Sequence, residues 1–268
     1  MNHDQWAEQM IQARDTATFA PRPSEWVEGF DLDAGYQVGR AAQESLIARG
    51  CRPVGRKIGF TNRAMWPQFG VEAPLWGTMY DRTVFFAEQG VFRLALDGMV
   101  APRIEPEVVL KLKSAVTKDA TTAEAVLACV EWAALGFEIV DCHYPDWKFS
   151  AGDGVADFGL HAALIVGSPL RMEWNDAAAT TRLESVEVTL RRGGETLASG
   201  FGRNALGSPL LSVAFLAKIL AAQPWAAPLV AGDLLTTGTL TAAFPIQSGE
   251  RWSASAQGLA LSPLTLEL

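Results

Sequence analysis

The stretch Arg103-Ile104-Glu105-Pro106-Glu107-Val108-Val109-Leu110-Lys111-Leu112 sets two glutamates, one residue apart, at the head of a run that otherwise reads as buried. In a strand, residues i and i+2 share a face, so Glu105 and Glu107 project to the same side with Cα atoms about 6.6 Å apart. Their carboxylates can then converge on one ion. Pro106 cannot donate to a ladder, which predicts an edge, a bulge or a strand start at this point. A third acid, Glu138, interrupts the apolar segment Leu135-Gly136-Phe137-Glu138-Ile139-Val140. A carboxylate buried there without a partner would cost several kcal/mol or take up a proton. The pattern supports two readings. Three carboxylates within reach of one another suit a hard divalent ion such as Mg²⁺, which prefers oxygen ligands and keeps positions open for substrate oxygens. Alternatively, Glu105 and Glu107 lie on a solvated strand face and Glu138 pairs with an arginine.

Other chemistries find little support. There is no Gly-x-Ser-x-Gly elbow, and His3, His143 and His161 suggest no serine or cysteine triad. The segment Gly202-Arg203-Asn204-Ala205-Leu206-Gly207-Ser208-Pro209 has the outer glycines of a phosphate loop but lacks its lysine. Gly152-Asp153-Gly154 has no third glycine at dinucleotide-binding spacing. Cys51, Cys129 and Cys142 are odd in number and unpaired in spacing, so they read as small buried residues rather than a disulfide or zinc framework.

The elements that must carry the acids are mostly strands. From Gln5 to about Arg49 the text is helical: Trp6, Met10 and Ile11 have helical spacing, and after a Pro21-Arg22-Pro23 break Asp31 or Asp33 can cap a second helix ending at Gly50. Beyond this arm, short segments punctuated by glycine and proline predict strands over 53–60, 82–86, 91–96, 104–112, 135–142, 160–166, 184–191, 195–201, 233–239 and 251–268. Val186 to Gly200 reads as a hairpin turning on Gly193-Gly194. Two further helices are expected, Thr121 to Leu135 with Thr121 and Glu124 as a capping box, and Pro209 to Ala222. Residues 1–50 and 51–268 thus read as an arm and a main body.

Composition narrows the partners. A content of 49% hydrophobic and 19% charged residues fits a folded chain able to bury a sizeable core. A formal net charge of −8 without clustered Lys and Arg argues against nucleic acid. The opening Met1-Asn2-His3-Asp4-Gln5-Trp6 lacks a signal-peptide layout, and no uninterrupted apolar run reaches membrane length, so the expected address is the cytoplasm, with no membrane partner.

Taken in order, these residues resemble the fumarylacetoacetate hydrolase superfamily, in particular its branch of 2-keto-4-pentenoate hydratases and 4-oxalocrotonate decarboxylases. The resemblance covers nearly the whole chain. It is carried by Arg56-Lys57-Ile58-Gly59-Phe60-Thr61, Gly77-Thr78-Met79-Tyr80-Asp81, Arg103 to Glu107, Glu138, Val155-Ala156-Asp157, Leu206-Gly207-Ser208-Pro209 and Gly232 to Leu240. It implies an α+β fold, a mixed β-sandwich or roll with an N-terminal helical arm, assembled as a homo-oligomer. It also implies Mg²⁺ or Mn²⁺ held by Glu105, Glu107 and Glu138, with open positions for the C1 carboxylate and C2 oxygen of a 2-oxo acid.

The implied activity is hydration of a 2-hydroxy-2,4-dienoate or 2-oxo-alkenoate in aromatic catabolism. Decarboxylation, acylpyruvate C–C hydrolysis and non-catalytic oxo-acid binding are the alternatives. Lys57 is the first candidate acid/base, its pKa expected to be lowered by low-dielectric walls and a nearby ion, and Asp81 is the second. Asp157 and Thr239 are the candidate substrate-binding residues. One departure stands out: where hydratases of this branch usually read Asn-Ala-Ser after the aspartate, this chain has Phe158-Gly159-Leu160-His161, putting apolar bulk near the expected pocket. His161 is expected to be a satisfied core histidine.

Overall fold

A computed structural model describes residues 1–171 and 177–268. Among them, fourteen strands follow in chain order: β1 (Pro53–Gly59), β2 (Leu75–Tyr80), β3 (Val84–Phe86), β4 (Val91–Arg93), β5 (Arg103–Leu112), β6 (Val130–Val140), β7 (His161–Val166), β8 (Leu170–Arg171), β9 (Glu187–Arg192), β10 (Glu195–Phe201), β11 (Leu234–Thr236), β12 (Phe244–Pro245), β13 (Arg251–Gln257) and β14 (Leu264–Glu267). They form two sheets. The larger runs β2-β1-β11-β5-β6-β7-β3, with β12 also on β5 and β8 also on β6, and the smaller runs β10-β9-β13-β14-β4. Both are mixed: β1 with β11, β3 with β7 and β4 with β14 are parallel, and the other pairs antiparallel. The fold class is α+β, as the motifs implied.

The long antiparallel pair β5 and β6 forms the middle of the larger sheet. Val108, Val109, Leu110 and Leu112 are fully buried, which marks a strand covered on both faces. Each such side chain contributes roughly 1.5–3 kcal/mol by leaving water. The helix expected from Thr121 to Leu135 is cut short. Thr122, rather than Thr121, caps it by accepting from the Ala125 amide, and the helix spans only Ala123–Leu127. Five residues cannot sustain an isolated helix, whereas Val130 to Val140 gains a ladder along the length of β5. Long-range pairing overrides the local helical signal.

Pro106 also departs from expectation, because it lies inside a ten-residue strand, paired with Phe137 of β6. On its other side, however, β11 reaches only Val109 and β12 only Ile104. The residue without an N–H therefore occupies a gap between two partner strands. The chain bridging that gap, residues 237–243, carries the Gly238 amide from which Glu107 accepts.

Elsewhere the hairpin turns as expected on Gly193 and Gly194 at φ +57° and +92°, and Asp31 caps the Leu32–Ala48 helix through the Ala34 amide. The segment 251–268 is split by a turn into β13 and β14. β2, the Ala151–Ala156 helix and the Ala177–Ser185 helix were not expected from periodicity, although Ser150 and Asp153 form a capping box in the sequence. Trp6, Met10 and Ile11 of the His3–Thr16 helix pack with Val38 and Ala42 against Val140, Cys142 and Tyr144. The segment Gly202–Ala222, with mean hydropathy 1.8, is long and apolar enough to cross a membrane. Its helical part, Pro209–Ala222, instead buries Leu210, Val213, Leu216 and Leu220 in the core.

Candidate metal and active site

The β5–β6 register places Glu105 directly opposite Glu138, and Glu107 opposite Gly136. One carboxylate oxygen from each of Glu105, Glu107 and Glu138 lies within 4.8 Å of the other two. Glu107 and Glu138 are fully buried and Glu105 half-buried. Like charges facing each other across a strand pair repel, so the cluster needs positive charge. Lys57 supplies part of it, and His161 adds a hydrogen bond. Lys57 Nζ lies 3.5 Å from Glu138 Oε1 and donates to the Gly159 carbonyl at 2.9 Å. His161 Nδ1 is 2.9 Å from Glu138 Oε1, and its Nε2 is 3.0 Å from Thr83 Oγ1.

Glu107 is held differently. Its Oε2 accepts from the Gly238 amide at 2.7 Å, but its Oε1 is buried with no hydrogen-bond partner. An orphaned buried oxygen costs about 1–3 kcal/mol. With three carboxylates converging on one point, it is the kind of group that a hard cation satisfies. The donor set therefore fits a divalent ion. Gly238 makes the amide contact possible: at φ +100°, a Cβ there would lie 2.0 Å from Thr61 Oγ1.

Protonation follows from burial and neighbours. Burial, with the repulsion of Glu138, pushes the Glu105 carboxyl up to about 7 although Lys57 pulls it down, and Glu107 is raised well above the usual range by burial and by both other acids. Burial also acts to raise Glu138, but Lys57 and His161 outweigh it and hold this carboxylate below its ordinary value. The lowering expected of Lys57 belongs to a site with an ion beside it; among the acids alone the shift is upward. Burial pulls it down, yet Glu138, Glu105 and Glu107 more than compensate and keep it a raised, charged ammonium. His161 is lowered by burial and stays neutral. An ionised carboxylate only accepts, so Nδ1 carries the imidazole proton and Nε2 accepts from Thr83. His161 thus orients Glu138, a task that its strand context alone did not reveal.

A cavity of about 870 Å³ opens over the acids, lined by Lys57, Arg103, Glu105 and Thr239 among apolar residues that include Phe60 and Phe149. Of the residues singled out in the sequence, Lys57, Glu105 and Thr239 line this cavity, and Glu107 and Glu138 join it through the acid cluster they form with Glu105. Asp81 and Asp157 do not line this cavity. Asp81 closes the turn after β2, accepting from the Arg52 amide and Nε at 3.0 and 2.9 Å. Asp157 is buried and accepts from the His143 amide at 2.9 Å, with His143 Nδ1 2.8 Å from its other oxygen. In the altered segment, Gly159 and Leu160 line the cavity, while the Phe158 ring lies under Arg14, whose guanidinium carbon is 4.8 Å from the ring centroid.

If Glu138 is held by His161, His161→Leu should weaken Mg²⁺ binding about 10–100-fold, the usual cost of losing a partner that orients a ligand. Calorimetry tests this. Unchanged affinity would mean that the strand backbone alone sets the carboxylate.

Residues 56–262 match the family described as fumarylacetoacetate (FAA) hydrolase C-terminal. The chain belongs to the fumarylacetoacetate hydrolase family. It is 32% identical to 2-keto-4-pentenoate hydratase 1 of Dechloromonas aromatica (strain RCB) over 85% of this chain and 83% of that one. It is also 34% identical to a 4-oxalocrotonate decarboxylase of Pseudomonas sp. over 76% of this chain and 74% of the relative. Among solved structures, 4-oxalocrotonate decarboxylase from Pseudomonas putida G7, complexed with magnesium and adipate, superposes with a TM-score of 0.89 at 27% identity, covering 99% of this chain and 96% of that one.

Proposed function

We propose that this chain is a divalent-metal-dependent hydratase, a carbon–oxygen lyase that adds water to a 2-oxo-alkenoate or 2-hydroxy-2,4-dienoate such as 2-keto-4-pentenoate in aromatic catabolism. The observation that carries the reading is the cage of three acids with the unpartnered Glu107 Oε1 inside it. Likeness to a 2-keto-4-pentenoate hydratase at 32% identity supports it. Glu105, Glu107 and Glu138 would hold Mg²⁺ or Mn²⁺, which would polarise the 2-oxo group and accept a substrate carboxylate.

The remaining steps fall to the chain. Lys57, fixed by the Gly159 carbonyl and charged, delivers a proton to the substrate carbon inside apolar walls. The Thr239 hydroxyl, which donates to the Thr241 carbonyl at 3.0 Å, can turn to a substrate carboxylate. Asp157 acts at one remove, since it pins His143 beside the loop whose Gly159 carbonyl holds Lys57. Asp81 has no part in proton transfer in this reading. A homo-oligomer in the cytoplasm is its setting.

Decarboxylation of a 4-oxalocrotonate-like acid is the second reading, favoured by the superposition over 99% of the chain on a decarboxylase. Incubating Mg²⁺-loaded protein with 2-hydroxypenta-2,4-dienoate, 4-oxalocrotonate and acetylpyruvate separates the possibilities. Loss of dienoate absorbance without CO₂ or pyruvate release supports hydration, CO₂ release supports decarboxylation, and turnover of none defeats both.

Metal affinity should also depend on pH. Glu105, raised to about 7, and Glu107, raised well above the ordinary carboxylate range, both hold their protons more tightly than free glutamates, and an ion must displace any that are bound. Mg²⁺ affinity should therefore rise with pH, by about tenfold per unit for each proton released below the relevant pKa. Calorimetry in buffers of different ionisation enthalpy counts the protons, and a count of zero contradicts the assignment.

A further inference from the structure

Gly77 lies buried inside β2 at a backbone conformation open to any L residue, so no turn or positive φ calls for glycine there. Glycine inside a strand weakens it and marks a place where another backbone comes close. Here that backbone is the turn Phe158-Gly159-Leu160: a Cβ on Gly77 would stand 2.5 Å from the Phe158 carbonyl oxygen. A Cβ on Gly159 would in turn stand 3.3 Å from both the Gly77 Cα and Lys57 Cδ. Across the β1–β2 pair, Gly77 is the partner of Lys57. The empty position beside the lysine stem is therefore filled by the turn, whose Gly159 carbonyl accepts from Nζ at 2.9 Å. The turn is strained. Phe158, Gly159 and Leu160 follow one another at φ +54°, +63° and +64°, a left-handed run that two bulky L residues adopt only at a cost. It is tied at its end, where the Leu160 amide donates to the Asp157 carbonyl at 2.6 Å and the Leu160 carbonyl accepts from the Asp141 amide at 2.9 Å.

We propose that Gly77 is a positioning residue for Lys57: its missing side chain is the slot in which the strained 158–160 turn presents a backbone carbonyl to the ammonium. An ammonium carries three N–H donors that rotate together. The Gly159 carbonyl takes one, Glu138 Oε1 at 3.5 Å draws a second, and the third is left for the cavity that Lys57 lines. Without the carbonyl the lysine stem would swing toward the acids, and the third donor would lose its direction. Gly77 itself does not line that cavity, so its influence on a substrate passes through Lys57. The inference rests on the reading above in which Lys57 delivers the proton, and it adds what aims that proton.

The test compares wild type, Gly77→Ala, Lys57→Met and the double variant, all Mg²⁺-loaded, on 2-hydroxypenta-2,4-dienoate, or on 4-oxalocrotonate if the protein proves to be the decarboxylase. Gly77→Ala should lower kcat about 10- to 100-fold, the scale of a misplacement of about 1 Å, with KM and Mg²⁺ affinity within about threefold. In the Lys57→Met background the same change should slow turnover no further, because a residue acting only through Lys57 has nothing left to act on. Leu160 gives a second route should Gly77→Ala fail to fold. Asparagine adopts left-handed φ and valine resists it, so Leu160→Asn should keep more of kcat than Leu160→Val, whereas a side chain that only packs would favour the apolar valine. Wild-type kcat in Gly77→Ala, multiplied losses in the double variant, or the reverse order at Leu160 would overturn the proposal. Turnover by Lys57→Met at the wild-type rate, or turnover of neither acid by the wild type, would instead remove the reading of Lys57 as proton donor, and this inference with it.

Discussion

At a pH above the folded pKa of Glu107, Glu107→Gln is expected to raise the melting temperature of the metal-free protein, and at any pH to abolish the further rise that Mg²⁺ brings. The two effects have one cause. Glu107 is fully buried, its Oε1 has no partner, and burial together with Glu138 and Glu105 holds its pKa well above the usual range. A carboxyl raised in the folded state stabilises fully below its unfolded pKa, and that contribution is lost as pH rises through the folded value. For Glu105 this window runs from 4.5 to about 7, and for Glu107 it likewise extends well above 4.5. Glutamine mimics the protonated acid at every pH. It can keep the Gly238 amide contact and donate to Glu138, removing a cost of about 1–3 kcal/mol where the wild-type acid would be ionised and none where it is protonated. For a chain of this size that is a gain of roughly 2–10 °C. The same change removes an anionic ligand, so Mg²⁺ affinity should fall by at least about 100-fold. Thermal melts with and without Mg²⁺ suffice. A lower metal-free melting temperature combined with an intact Mg²⁺ response would show that Glu107 is a structural group and not a ligand.

Lys57→Met should reduce turnover by about 10²- to 10⁴-fold, the range for loss of a positioned acid or base, without weakening Mg²⁺ binding. Its ammonium lies 3.5 Å from Glu138 and competes with any cation in the cage. Removing it leaves the acids more negative, so metal affinity should hold or increase. The metal-free variant should melt lower, because Glu138 loses the first of the charges that keep it ionised, and Mg²⁺ should restore the difference. Calorimetry and single-turnover kinetics on one preparation separate chemistry from binding. Retained turnover would place the proton donor elsewhere, whereas loss of Mg²⁺ binding would mean that Lys57 serves the cage rather than the reaction.

What could be read in the sequence followed from strand geometry. The spacing of Glu105 and Glu107 alone put them on one face, because a two-residue period needs no knowledge of the partner strand. That Glu138 faces Glu105 was not legible. It depends on a register set over β6, whose first residues carry a local helical signal that pairing with β5 overrides. Pro106 signalled a break in the ladder, but only the arrangement of β11 and β12 revealed that the break lies on one side of a central strand. Charge states were the least legible. The raised Lys57 and the neutral His161 reflect neighbours more than twenty residues away. Asp81 and Asp157 stood in recognisable motifs, yet each faces a partner that no local pattern identifies, Arg52 in one case and His143 in the other.

The facing of Glu105 and Glu138 across β5 and β6 has a consequence for how the chain finds its fold. Slipping one strand by a single residue would turn its side chains to the opposite face of the sheet. Both strands are apolar over most of their length, so hydrophobic contact discriminates weakly between such alignments. Only the native alignment gathers three carboxylates around one point, where a divalent ion can lock them. Refolding in Mg²⁺ should accordingly yield fewer misaligned species than refolding in chelator, with the cation acting as a proofreader of the sheet before it has any substrate to hold.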